Sequence, residues 1–436
     1  MTETIGERRT ADTVCPDCGT GLTGGGAYVA WCADCGWNTD PGAAEEPAGR
    51  IERARRNLAR RYGEQLFADL TAADGGRGDG ADRAGRGNSA LLATAVALAV
   101  HGVTLALLAG GIAMILAGEG LVPFLSAIPI GLVLVLRPRF GSLRGLRKEN
   151  PDLPVLRRPD APELFALLDE VAGAVGTTGV TAVVVDPDVN ASVRTYGLRQ
   201  RRVLTVGLGL WEVLTPQERI ALLGHEFGHY AHGDTRHLLL VSGAFQSLDT
   251  WAYTLAPQPP QSLVDHFVNL TTVLPRLAVE GVTTLLDHLT LRGSQRAEYL
   301  ADEAAARVGG SKAAAGVMDR LLCAEILTGA LRREIVGART RRSGSRAENP
   351  AEGLWQRLAV QAAGVPATEY ERLRRAGELR GHSVDSTHPP THLRHRLLTS
   401  GEEYEPRIAL DADRAARVDA ELAEARRVIA RELLRG

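Results

Sequence analysis

The stretch Leu223-Gly-His-Glu-Phe-Gly-His-Tyr230 decides how the middle of this 436-residue chain folds and what it can bind. Its two histidines, His225 and His229, are four residues apart, so on an α-helix both imidazoles leave the same face and can hold one metal ion. Zinc suits this pair of ligands. Glu226 lies one step around the helix, where its carboxylate can take a proton from water at the metal.

The residues before this motif predict that a helix begins near residue 216. Thr215 is a good N-cap, Pro216 fits the first helical turn, and Glu218 completes a capping box. Gly233 is a suitable terminator. The motif therefore lies inside a helix, as binding by both histidines requires. His232 faces the same side but lies one turn further on, so we do not assign it to the metal.

A hydrolytic zinc site needs a third protein ligand and an open fourth position. The best candidate is Glu298, on a predicted helix that ends at Gly309-Gly310 and presents Glu298 and Asp302 on one face. We assign Glu298 to the zinc and expect Asp302 to accept a ring N–H from His225 or His229, which would fix the tautomer of that histidine. The alternative is a solvated acidic helix face.

Three segments together resemble the HtpX and CAAX-prenyl-protease family of membrane zinc endopeptidases, which are gluzincins. The segments are Gly224-His-Glu-Phe-Gly-His229, then Arg296-Ala-Glu298 with Asp302 four residues later, and Ser386-Thr-His-Pro-Pro390 with Arg394 beyond it. The similarity spans roughly residues 155 to 400. Gln295 departs from the family pattern, in which Ser-Arg is more usual before this helix.

The resemblance implies roles for four further features. Val203 to Leu208 would be the edge strand along which an extended peptide substrate lies. Asn190 would hold the substrate or the adjoining loop, although an Asn in this context also forms turns. His388 would donate to the oxyanion, or else be a turn histidine before two prolines. Arg394 would form an ion pair beside the metal ligands, or be a plain surface arginine.

Four cysteines near the N-terminus predict a second zinc site. They form two Cys-x-x-Cys pairs separated by 13 residues, and a glycine, Gly19 or Gly36, follows each pair and frees the backbone for a tight turn. Four thiolates in tetrahedral array make a closed structural site, a zinc ribbon, and the alternative is a pair of disulfides. Cys323 is expected to be a buried helix residue. The predicted structural ligands are Cys15, Cys18, Cys32 and Cys35.

Two uncharged runs predict a transmembrane hairpin over residues 90–137. Ala90 to Ala117 exceeds the roughly 20 residues needed to cross the hydrocarbon core, whereas Leu121 to Leu136 is shorter and contains two prolines, so it predicts a short or kinked span or a re-entrant loop. Basic residues flank the hairpin and the connecting turn holds only Glu119, which places both termini and the catalytic domain in the cytoplasm. The flanking residues are Arg77, Arg83, Arg86, Arg137, Arg139, Arg144, Arg147 and Lys148. The region before residue 90 carries no apolar run, so no cleavable secretory signal is expected.

Two other segments leave alternatives open. Residues 41–89 combine a basic amphipathic helix, which either lies on the anionic inner leaflet or is simply solvated, with a flexible tether. Arg236 to Ala256 and Leu263 to Thr290 predict long helices divided by Pro257-Gln-Pro-Pro260. The charges of the second favour helices packed over the active-site cleft, with membrane insertion as the alternative.

The predicted fold class is mainly α with a small β-sheet, an α+β zincin-like peptidase domain joined to a transmembrane hairpin and the ribbon. The domain division is ribbon 1–40, helix and linker 41–89, hairpin 90–137, peptidase domain 138–400 and a C-terminal amphipathic helix over 401–436. Charged residues make up 23% of the chain and the net charge is −2, which gives no indication of nucleic-acid binding.

The leading functional hypothesis is an integral membrane zinc endopeptidase with one catalytic and one structural zinc. Its substrates would be peptides or membrane proteins, in quality control or regulated proteolysis, with CAAX-type processing as a variant. The ribbon is a candidate site for a protein partner. The hypothesis from another class is a noncatalytic zinc-binding membrane adaptor, and the intact Glu226 argues against it.

Overall fold

A computed structural model describes residues 14–42, 50–73, 88–136, 151–196, 201–231, 235–341, 351–380 and 389–435. These residues are mostly helical and contain one four-stranded sheet, so the predicted fold class is confirmed. The elements in chain order are α1 (Arg50–Ala73), α2 (Asn88–Ala117), α3 (Val122–Leu125), α4 (Ala127–Leu136), β1 (Val155–Leu156), α5 (Pro162–Val175), β2 (Ala182–Asp186), β3 (Ala191–Tyr196), β4 (Arg201–Gly207), α6 (Leu208–Trp211), α7 (Pro216–Ala231), α8 (Thr235–Thr254), α9 (Leu263–Thr271), α10 (Val273–Gly309), α11 (Ser311–Leu322), α12 (Ala324–Arg341), α13 (Leu354–Ala363), α14 (Ala367–Arg380), α15 (Thr391–Ser400), α16 (Ala412–Glu421) and α17 (Ala423–Arg435).

The sheet has the strand order β1-β2-β4-β3. Strand β4 pairs in parallel with β2 and antiparallel with β3, so β3 lies at the edge among the described residues. The expectation that Val203 to Leu208 forms the edge strand is therefore wrong. Leu204 and Val206 are buried on one face of the sheet and Val203 on the other, as in a strand covered on both faces.

The main core lies between the sheet and helices α5 and α7. Leu168 of α5, Leu204 of β4 and Phe227 of α7 are fully buried in it. Ile220 and Leu223 are buried on the same helix, at the helical spacing expected of one apolar face. This packing fixes α7 against the sheet.

Helix α2 is the one described helix that is long and apolar enough to cross a membrane, over Ser89–Ala117. It coincides with the first predicted span. The second uncharged run is divided at Ser126 into α3 and α4. The apolar stretch there, Val122–Leu134, is shorter than the apolar stretch of α2. The basic residues on both flanks, on which the orientation rests, lie outside the described residues.

The segment after α7 is helical as predicted, but it packs against α2 and not over the predicted cleft. α8 and the first half of α10 pack on α2, where Ala97, Ala244 and Leu286 belong to one buried cluster. The polypeptide from Val273 to Gly309 is a single helix of 37 residues, which joins this cluster to the segment carrying Glu298. Near the C-terminus, the predicted single helix is two helices, α16 and α17, with Leu422 between them.

Candidate metal centre

The helix that carries the His-Glu-x-x-His motif begins as the sequence predicts. The side chain of Thr215 accepts a hydrogen bond from the Glu218 N–H at 3.2 Å, and the Glu218 carboxylate accepts one from the Thr215 N–H at 2.8 Å. This reciprocal capping box satisfies two N–H groups that a helix start otherwise leaves without partners. The Nε2 atoms of His225 and His229 consequently lie on one face of α7, 3.2 Å apart.

Helix α10 brings Glu298 to these histidines. Its two carboxylate oxygens lie 3.6 Å from the Nε2 atoms of His225 and His229. Ligand atoms of a tetrahedral zinc with bonds of about 2.0–2.1 Å are separated by about 3.3 Å, so this donor set fits a zinc ion. Burial lowers the pKa of His229 to about 4, which favours the neutral imidazole that a metal ligand needs.

Small residues let α7 and α10 approach closely enough to form this site. A Cβ atom added at Gly228 would lie 2.9 Å from the Ala301 Cα, and one added at Gly224 would lie 3.1 Å from the Ala305 Cα. Both contacts are tighter than ordinary packing and the first requires a backbone shift. The distance between the histidines and Glu298 therefore depends on these two glycines.

Replacing Gly228 by alanine is expected to push α10 away from α7 and to weaken metal binding by His225, His229 and Glu298 at least 10-fold, since overpacking forces backbone shifts. The metal affinity of the purified protein, measured by chelator competition, checks this result. Gly281→Ala is the control, because Gly281 lies on the neighbouring helix α10 and a Cβ added there meets open space. Equal affinities for both variants would contradict the packing argument.

Asp302 and Arg394 lie on the Nδ1 side of His225, away from its Nε2 atom. Asp302 Oδ1 lies 3.0 Å from His225 Nδ1, as expected if it accepts the ring N–H, and Arg394 donates two hydrogen bonds of 2.7 Å to the same carboxylate. Burial opposes ionisation of Asp302, but the charge and hydrogen bonds of Arg394 outweigh it and hold the pKa of Asp302 well below its usual range. Both side chains are buried, so Arg394 is not a plain surface arginine.

Glu226 and Tyr230, one helical turn apart, contact the edge strand at a single residue. The Glu226 carboxylate accepts a hydrogen bond from the Val193 N–H at 3.1 Å, and the Tyr230 hydroxyl donates one to the Val193 carbonyl at 2.5 Å. The Arg202 guanidinium lies over the Tyr230 ring at 4.5 Å. Burial raises the pKa of Tyr230 to about 12, so its hydroxyl stays a donor. The sequence interpretation did not include Tyr230, although its spacing from Glu226 puts both on one helix face.

The family resemblance suggests Asn190 for substrate binding and His388 for the oxyanion, and only Asn190 lies in the described part of the chain. Asn190 precedes β3 and is exposed, its side chain accepts from the Ala191 N–H at 2.8 Å, and its carbonyl accepts from the Gly207 N–H at 2.9 Å. These local bonds are those of a residue that shapes the strand entry. His388 lies outside the described residues, as does His232.

The four ribbon cysteines converge as predicted. Cys15 and Cys35 Sγ are 3.5 Å apart, as are those of Cys18 and Cys32, close to the separation of about 3.8 Å around a tetrahedral zinc with Zn–S bonds near 2.3 Å. Gly19 and Gly36 have φ angles of 77° and 78°, so they do free the knuckle turns. All five cysteines are free thiols, and Cys323 is buried as expected, although it lies between α11 and α12 and not inside a helix.

Comparison with known proteins gives a consistent answer. The model of peptidase family M48 matches residues 160–401. A protease HtpX homolog of Pyrobaculum calidifontis is 29% identical over 252 residues, 55% of this chain and 68% of that protein. The protease HtpX of Xylella fastidiosa is 27% identical over 191 residues, 41% of this chain and 64% of that protein. No solved structure matches.

Proposed function

The chain belongs to peptidase family M48, and we propose that it is a membrane-bound zinc endopeptidase with Glu226 as its general base. Family membership confirms the predicted class, a metalloprotease. The observation that carries the proposal is the convergence of His225, His229 and Glu298, with Glu226 on the same helix as the two histidines. We assign one zinc to this cluster and one to the four cysteines.

The proposed reaction is hydrolysis of a peptide bond by water. A zinc ion held by the two histidines and Glu298 would supply Lewis-acid polarisation of the peptide carbonyl and would acidify water. Glu226 takes the proton from the attacking water and transfers it to the leaving amide nitrogen. Asp302 keeps His225 in the tautomer whose Nε2 faces the metal, and Arg394 keeps Asp302 ionised.

The edge strand β3 is the proposed binding site for an extended peptide. At Val193, both outward backbone groups of this strand already have partners, because Glu226 accepts from its N–H and Tyr230 donates to its carbonyl. A peptide strand that pairs with Val193 needs the same two groups. Substrate binding at this residue must therefore displace the Tyr230 hydroxyl and release Glu226 from the strand.

Tyr230→Phe is expected to lower KM about 3- to 10-fold with little change in kcat, since the Val193 carbonyl then has no hydroxyl to give up and a neutral hydrogen bond contributes about 1 kcal/mol. Steady-state kinetics on a peptide substrate check this result. Tyr253→Phe, at an exposed tyrosine of α8, is the control. An unchanged or higher KM in Tyr230→Phe would rule out competition between Tyr230 and the substrate.

We further propose that the protein is multi-pass, with both termini and the catalytic domain in the cytoplasm. Helix α2 supports a first span. Helix α9 and the start of α10 expose an apolar stripe, and this favours contact of the segment with lipid over a place above the cleft. The stripe consists of Leu263, Phe267, Leu270, Leu274 and Leu277. Substrates would then be peptides or membrane proteins cleaved close to the bilayer, as in quality control.

The orientation predicts which positions are accessible from outside the cell. A cysteine introduced at Glu119, in the turn between α2 and α3, is expected to react with a membrane-impermeant thiol reagent applied to intact cells. A cysteine introduced at Arg144 is expected to react only after the cells are permeabilised. The opposite labelling pattern would place the catalytic domain outside and exclude cytoplasmic substrates.

A further inference from the structure

The zinc ribbon, residues 14–42, lies against α14 and is held there by arginines of that helix. Arg372 donates to the Thr39 carbonyl at 2.7 Å, and Arg375 donates to the Ala33 carbonyl. Arg380 makes two hydrogen bonds of 2.6 Å to the Asp40 carboxylate. We call Arg372, Arg375 and Arg380 the arginine clamp. Charge-assisted bonds of this kind are stronger than neutral ones and fix the orientation of both partners.

The clamp engages parts of the ribbon whose position depends on its metal. Ala33 lies inside the second knuckle, between Cys32 and Cys35, and its carbonyl is one of the acceptors. Trp31, which is fully buried, lies under the guanidinium of Arg375 at 5.1 Å. Only two isolated β-bridges are found within residues 14–42, so metal binding and folding of this segment are one event. Without metal, the acceptors for the clamp would lose their fixed positions.

Helix α14 is connected to the catalytic centre through α15. Asp319 of α11 accepts a hydrogen bond of 2.7 Å from Arg374 of α14 and lies 3.6 Å from His395 of α15. Next to His395 in α15 is Arg394, which holds Asp302 and lies 3.4 Å from the Glu298 carboxylate. A shift of α14 therefore reaches the arginine that supports two of the residues around the catalytic metal.

We propose that the ribbon acts on its own chain, as a metal-dependent brace that holds α14 and α15, and through Arg394 the catalytic centre, in the active arrangement. Closed on zinc, it presents the carbonyls of Ala33 and Thr39 to the clamp. When the ribbon loses its zinc, these carbonyls move away from the clamp and α14 is no longer held. The ribbon is then a regulatory element whose occupancy sets the stability of the catalytic site. The effect on catalysis rests on the proposed function, whereas the effect on the site itself does not.

The test compares three variants of the full chain in detergent. Arg375→Ala with Arg380→Ala removes two of the three clamp arginines and leaves the four cysteines intact. Cys15→Ser with Cys18→Ser opens the ribbon, and Asp40→Ala removes one clamp contact from the ribbon side. Arg427→Ala, at an exposed ion pair with Glu424 on α17, is the control. Two readouts need no substrate: amide hydrogen exchange in residues 391–400, and the rate at which a chelator removes the catalytic zinc.

The brace predicts that the clamp and ribbon variants both raise these two rates about 5- to 20-fold, the lower part of the range of typical coupling between sites. Asp40→Ala should raise them less and Arg427→Ala should leave them unchanged. Combining the clamp and ribbon changes should add nothing beyond the larger single effect, because both break the same connection. Wild-type rates in the clamp variant, or in the ribbon variant, would overturn the proposal. A wild-type chain that hydrolyses no peptide would overturn only the proposed function.

Discussion

Replacing Glu226 by glutamine is expected to lower peptide hydrolysis by about 100-fold or more while the catalytic zinc stays bound. Glutamine cannot take the proton from water, and this residue is not among the three proposed metal ligands. The amide oxygen of glutamine can still accept from the Val193 N–H, so the contact between α7 and the edge strand survives the change. Hydrolysis rates and zinc content of the purified variant give both results.

Glu303→Gln is the control for this variant. Glu303 lies on α10, near the site. Its carboxylate is partly exposed and pairs with Arg307. Undiminished turnover in Glu226→Gln would remove the assigned mechanism. The same result would still exclude the hypothesis of a noncatalytic adaptor, because a variant with full turnover is an enzyme.

Glu298→Ala is expected to release the catalytic zinc, with a loss of affinity greater than the 10- to 100-fold that follows from changing a residue behind a ligand. Glu298 is the sole described carboxylate that reaches both histidine Nε2 atoms. Glu280→Ala on the same helix is the control, since Glu280 is exposed and contacts Arg276. Zinc content after dialysis against a chelator measures the difference.

The neighbouring Asp302 needs a milder change than alanine. Asp302→Ala would leave the buried Arg394 guanidinium without its main partner, and breaking a buried pair in this way costs about 3–5 kcal/mol of stability. Asp302→Asn keeps an acceptor for His225 and should reduce zinc affinity without unfolding the chain. If Glu298→Ala kept its full complement of catalytic zinc, the third ligand would have to be another residue.

The catalytic centre could largely be predicted from the sequence because its parts obey local rules. The capping box and the helical spacing of His225 and His229 are properties of one helix, and the pairing of Glu298 with Asp302 is a property of another. The close approach of α7 and α10 is a feature of the tertiary structure. Gly224 and Gly228 permit it, but a glycine in a helix does not say what will pack against it.

The errors and omissions concern contacts between distant segments. The family resemblance predicts that Val203 to Leu208 lies at the sheet edge, whereas β4 is paired on both sides and buried on both faces, as an inner strand is. The hydrogen bond from Tyr230 to the Val193 carbonyl depends on the position of β3 beside α7, which the sequence does not indicate. The position of the ribbon on α14 depends on arginines more than 300 residues away in sequence, and an arginine-rich helix is equally compatible with a solvated surface.

Anomalous diffraction at the zinc edge, from crystals of the full chain grown without added metal, tests the central claim most directly. The account predicts one zinc about 2 Å from the Nε2 atoms of His225 and His229 and from the Glu298 carboxylate, and a second among Cys15, Cys18, Cys32 and Cys35. A zinc bound by the four cysteines alone, with His225, His229 and Glu298 free of metal in a catalytically active sample, would contradict it.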